Sequence, residues 1–150
     1  MNNAIIDTFL NPYKKEARFL QSFELMKNKG ISTFKVNSDF YFTPQSSHHF
    51  TAVELQICLN QLLYVYFAHL GLYGNDWNAV MDFDFVNKIT ENDFIIEQKT
   101  HFKKEIDTSK NIRGEIEVMH TKKIGKTKFM ECNFQFEDAC FGSVLVAHKD

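Results

Sequence analysis

The chain has 150 residues, a formal net charge of −2, 44% apolar and 24% charged residues, a balance that fits a globular chain rather than a disordered one and one domain over residues 1–150. A domain of that length buries roughly 70% of the surface its unfolded chain exposes, and 16 phenylalanines supply bulk for a core or a cavity wall. The lysines are scattered, which leaves no basic footprint for a nucleic acid.

Cys58, Cys132 and Cys140 are odd in number and lack C-x-x-C spacing, as expected of reduced thiols in a cytoplasmic protein rather than a disulfide framework. The N-terminus, MNNAIIDTFLNPYKKEARF, has no basic stretch leading into an apolar one, so no secretory signal is expected. Residues 14–28 mix Phe19, Leu20, Phe23, Leu25 and Met26 with Lys14, Lys15, Glu16 and Lys27, a spacing that predicts a helix closed by Asn28 and Gly30. From Ser32 to Phe42 the period becomes two, with Phe34, Val36, Phe40 and Phe42 on one side, which predicts a strand stopped at Pro44.

Thr51-Ala-Val-Glu54 stands at the mouth of an apolar run and carries the capping-box signature, placing the start of a long helix at Ala52 and its end near residue 70. The run is just long enough to span a bilayer, but Glu54, Gln56, Asn60 and Gln61 would each be costly in lipid, so membrane insertion is not expected. Beyond Gly71 the pattern is β-rich. Asp82–Val86, Phe94–Ile106, Glu115–Met119, Met130–Phe136 and Ser143–His148 read as strands, with the turn between the third and fourth at Lys122–Lys126 around Gly125. One long apolar helix followed by an antiparallel meander predicts an α+β sheet wrapped around a buried helix. An open sheet edge predicts a homodimer or a dimer of dimers.

On the long helix, Glu54 and Gln61 share one side, and Gln56 and Asn60 lie nearly opposite. An amide in so apolar a helix needs partners, since leaving it unpaired costs about 1–3 kcal/mol. Asn60 is therefore either a structural hydrogen-bonding group or one that orients a substrate or a water. The capped helix start supports the second reading, because N–H groups and the positive dipole end there can stabilise a developing oxyanion. His48 and His49 precede the helix, and a histidine can act as general base near neutral pH, although a pair in a loop is more often solvated. No third ligand accompanies them, so no metal is expected, and His69, His101, His120 and His148 show no useful spacing. A G-x-S-x-G elbow, a phosphate loop, a dinucleotide fingerprint and H-E-x-x-H are all absent from the sequence.

His49-Phe50-Thr51-Ala52-Val53-Glu54-Leu55, with Cys58-Leu59-Asn60-Gln61-Leu62 and Tyr64, resembles the helix motif H-F-N-A-V-E-L...C-F-N-Q-L-x-Y of the FcoT-like acyl thioesterase family, a branch of the hotdog superfamily. Asn11-Pro12-Tyr13 is similar to the family's E-P-Y, Arg18-Phe19-Leu20 to its R-Y-L, and Thr100-His101-Phe102-Lys103-Lys104 to its S-R-F-R-K. The resemblance implies a hotdog fold and an enzyme acting on acyl groups held as thioesters on coenzyme A or acyl carrier protein, with no cofactor beyond that carrier. It implies hydrolysis of long-chain acyl thioesters first. The alternatives are addition of glycine to a 2-enoyl-carrier thioester, dehydration of a 3-hydroxyacyl thioester, and acyl-carrier binding without turnover.

By the same resemblance Asn60 and Tyr13 match family functional positions. The motif's first asparagine is Thr51 here, and a further tyrosine falls on Thr43 by gapless count or on Tyr41 if two residues are inserted. The expected assignment has the helix-start amides near Thr51 and Ala52 polarising the carbonyl. Asn60, Tyr13 and Tyr41 would orient the water or thioester, with His49 as the nearest base. Lys103 and Lys104 would meet the phosphates of coenzyme A or the acidic face of a carrier.

Overall fold

The computed structural model describes residues 3–37, 48–71 and 91–149. Helix α1 (Asn3–Leu10) and a single 3-10 turn (Lys15–Ala17) lead into strands β1 (Leu20–Met26) and β2 (Lys29–Phe34). Helix α2 (Ala52–His69) follows, then β3 (Asp93–Phe102), β4 (Ile112–Ile124), β5 (Thr127–Phe136) and β6 (Cys140–Lys149). The described strands form one antiparallel six-stranded sheet in the order β1-β2-β4-β5-β6-β3. This is the expected α+β arrangement, with the long helix within a residue of its predicted bounds.

The predicted helix over 14–28 is replaced by the 3-10 turn and β1. The register of β1 on β2 shifts between Leu20 and Ser22, a bulge that puts the buried Leu20 and Phe23 three residues apart and so imitates a helical period. Asn28 and Gly30 belong to the β1–β2 hairpin instead of closing a helix, with Lys27 at φ 60 in its turn. The strand expected from Ser32 begins earlier, at Lys29, and its predicted far end, like the Asp82–Val86 strand, lies outside the described residues. The other strands occur where the period of two placed them, and Gly125, at φ 60, makes the β4–β5 turn.

Helix α2 packs against β1, β2 and β4 and buries Leu55, Cys58, Leu59, Leu62, Val65 and Tyr66 completely or nearly so. At about 25 cal/mol per Å², each such side chain contributes roughly 1.5–3 kcal/mol. Helix α1 covers part of its outer side, so the helix is apolar almost all round. Among the described residues no helix is long and apolar enough to cross a membrane. All three cysteines are buried free thiols in this core.

Candidate active site

The start of α2 is held by side chains that the sequence placed there. The Thr51 N–H donates to the Glu54 carboxylate at 2.8 Å, the Thr51 hydroxyl bonds the same oxygen, and the Val53 N–H donates to the hydroxyl at 3.2 Å. Just upstream, the Phe50 N–H donates to the Ile106 carbonyl at 3.1 Å and the Thr108 N–H to that of His48 at 3.0 Å. His49 bridges Asp107, and its half-exposed ring approaches Glu105 at 3.6 Å. The exposed Lys103 and Lys104 follow β3 at this same end, where the Lys103 N–H donates to the Ala139 carbonyl at 2.7 Å. His49, Thr51, Ala52, Lys103 and Lys104 thus gather around one end of the molecule.

Asn60 is elsewhere. Eight residues beyond Ala52, at 1.5 Å per residue, it lies roughly 12 Å along the helix from that end. There α2 contributes Asn60, Leu63, Tyr64 and Phe67 to a recess closed by Asp93 and Ile95 of β3 and Val146 of β6. The recess holds about 20 Å³, the room one water needs. Gln56, one turn back, donates through Nε2 to Asn60 Oδ1 at 3.0 Å, so the Asn60 carbonyl is engaged and its amide nitrogen remains a donor.

Tyr13 reaches this region through its neighbour. Its phenol is pushed above the usual range by burial and by Tyr64, and Tyr64 is raised by burial and by the Asp93 carboxylate, so both are protonated donors at neutral pH. The turn carrying Tyr13 is fixed by Arg18, whose Nε donates to the Tyr13 carbonyl at 2.9 Å and whose Nη2 donates to the Asn11 carbonyl at 3.1 Å. Gln61 anchors the next residues: its side-chain carbonyl accepts the N–H groups of Phe19 and Leu20. Three separate stretches, around Tyr13, Arg18 and Gln61, are therefore one interlocked structure. Tyr41 lies outside the described residues.

Three residues of this region were given no role in the sequence. Tyr64 stood in the family motif, and Gln56, Asn60 and Tyr64 recur every four residues on one helical face. Asp93 and His148 had no such signal. They are 55 residues apart, yet β3 and β6 pair them in register, and His148 Nδ1 lies 2.7 Å from Asp93 Oδ1 with both side chains buried.

Residues 8–146 match the FcoT-like thioesterase domain. The chain belongs to this family. No curated protein sequence matches it. Among solved structures, Cj0977, a sigma28-regulated virulence protein from Campylobacter jejuni, is 13% identical, with 98% of this chain and 96% of that one covered at a TM-score of 0.58. A thioesterase superfamily protein from Shewanella loihica PV-4 is 6% identical, covering 93% and 97% at 0.57. A hypothetical thioesterase from Streptococcus pneumoniae, solved with coenzyme A, is 12% identical, covering 85% and 84% at 0.53. These likenesses establish the hotdog fold. For a member of the FcoT-like family, a recess with two amide and phenol donors beside a carboxylate is suited to holding one small polar molecule against a carbonyl group.

Proposed function

We propose that this protein hydrolyses fatty acyl thioesters carried on coenzyme A or on an acyl carrier protein, in the cytoplasm, with no cofactor other than the carrier arm of the substrate. The observation that carries this reading is the water-sized recess beside Asn60 in a member of a thioesterase family. In it the Asn60 amide and the Tyr64 phenol donate hydrogen bonds to the attacking water or the thioester oxygen, with Tyr13 behind Tyr64. Lys103 and Lys104 meet the phosphates of the carrier arm at the rim. His49, which precedes a helix start roughly 12 Å along α2 from Asn60 and approaches Glu105, serves that rim better than the reaction centre.

The recess has room for the nucleophile but not for an acyl chain, which needs several hundred Å³. We place the chain against a second copy. Among the described residues strand β3 is a sheet edge, bonded to β6 alone, and it exposes Phe94 (45%), Ile96 (53%) and Phe102 (46%). A ten-residue edge strand that exposes such side chains is a template for pairing with an identical strand.

The test is release of free thiol from acyl-CoAs of graded length by the purified protein. Hydrolysis at one or more lengths, lost in Asn60→Ala, supports the proposal; no release above background at any length, on coenzyme A or carrier protein, rejects it. Mass spectrometry after adding glycine and a 2-enoyl-carrier thioester reports an adduct if the nucleophile is instead an amine.

A further inference from the structure

We propose that Asp93 is the proton acceptor of the recess and that His148 is its positioning residue, an assignment that rests on the hydrolysis reading above. Asp93 opens β3 and His148 lies near the end of β6; as a cross-strand pair they point to the same face of the sheet. The side chains are 5% and 9% exposed and 2.7 Å apart. A buried carboxylate–imidazole pair is a poor choice for stability alone, since apolar residues of similar volume serve as well or better. This one stands where the sheet lines the recess, with Asp93 beside Asn60 and Tyr64.

The chemistry of the lining selects Asp93. An amide is not basic enough to take a proton, and the Tyr13 and Tyr64 phenols are held in their protonated form. A carboxylate can accept one. His148 Nδ1, donating to Oδ1, fixes the carboxylate's orientation and favours its ionised form. Among the described residues, the groups beside it are His148 on β6 and Tyr64 and Asn60 on α2, with Tyr13 next to Tyr64; Lys128 on β5 and Lys123 on β4 continue the same cross-strand row two and three strands away.

In the reaction, the water oxygen forms a bond to the thioester carbon as the carbonyl π pair moves to oxygen, and the water's proton passes to Asp93. Collapse of the tetrahedral intermediate breaks the C–S bond. The departing thiolate takes the proton back from Asp93, giving the free thiol and the carboxylic acid and returning Asp93 to its carboxylate.

The experiment compares the wild-type protein, Asp93→Asn and His148→Gln by thiol release from an acyl-CoA between about pH 5 and pH 9, alongside thermal melting. The expected result is a wild-type kcat that falls on the acid side. Asp93→Asn should lose about 100-fold or more in kcat at a KM within about 2-fold, with the acid limb abolished. His148→Gln should keep turnover, lowered by about 10-fold, with its acid limb moved to higher pH because the longer amide no longer presents a donor at the Nδ1 position. If Asp93→Asn does not fold, the direction of the His148→Gln limb decides. An Asp93→Asn variant within about 3-fold of wild type, or a His148→Gln limb that does not move, overturns this assignment while leaving hydrolysis standing. Absence of wild-type turnover overturns both.

Discussion

The side-chain carbonyl of Gln61 accepts the backbone N–H groups of Phe19 at 3.1 Å and Leu20 at 3.0 Å, while its amide nitrogen donates to the Ala17 carbonyl at 2.6 Å. One fully buried amide on α2 thereby ties down the chain as it enters β1. Gln61→Leu keeps the volume and strands two buried N–H groups. The expected loss is about 2–4 kcal/mol, read as a lower urea midpoint at unchanged m.

Asn60 and Gln56 separate in the opposite way. Both are half-buried, so Asn60→Ala and Gln56→Ala should each change stability by no more than about 1 kcal/mol. Asn60→Ala should lower kcat for thioester hydrolysis by about 100-fold or more, as expected for a lost donor at the carbonyl or the nucleophile. Gln56→Ala should cost about 10-fold, because it frees the Asn60 amide to turn without removing it.

The core thiols make the fold sensitive to alkali. Burial pushes Cys132 up to about 12 and Cys140 to about 11 from an ordinary 9.0, and burial, with Glu54 nearby, raises Cys58 well above that value. The unfolded chain therefore releases these protons at lower pH than the folded one. Their contribution is complete below pH 9 and is lost as pH rises from about 9 through 11–12. Urea midpoints should fall across that interval, and a thiol reagent at pH 8 should react with the native protein far more slowly than with the unfolded chain.

Gly142 marks a close approach between strands. A Cβ there would collide with the Lys99 carbonyl of β3 and the ring of Phe134. Since the carbonyl is backbone, Gly142→Ala should lower stability by about 1–3 kcal/mol and speed hydrogen exchange along β3 more than along the β4–β5 hairpin.

Features governed by neighbours in sequence were readable without a structure. The capping box predicts the start of α2 because its partners are three residues apart, and β5 and the first half of β4 follow from a period of two. Strand β1 was misread for a local reason too: the bulge at Leu20–Ser22 changes which residues face the core, and the spacing then copies a helix. Asn60 stood out as a lone amide in an apolar run, but whether it shares a site with the helix start depends on distance along α2. The roughly 12 Å between them separates the rim residues His49, Thr51, Lys103 and Lys104 from the recess.

By itself the sequence determined the fold class, the long helix and its cap, the family, and one polar residue of the site, because each is encoded by periodicity or by a contiguous motif. The tertiary structure decided what stands around that residue. The β3–β6 register brings Asp93 to His148, the packing of α2 on the sheet brings Asn60 to Asp93, and a pairing between residues 55 positions apart leaves no periodic trace in either strand.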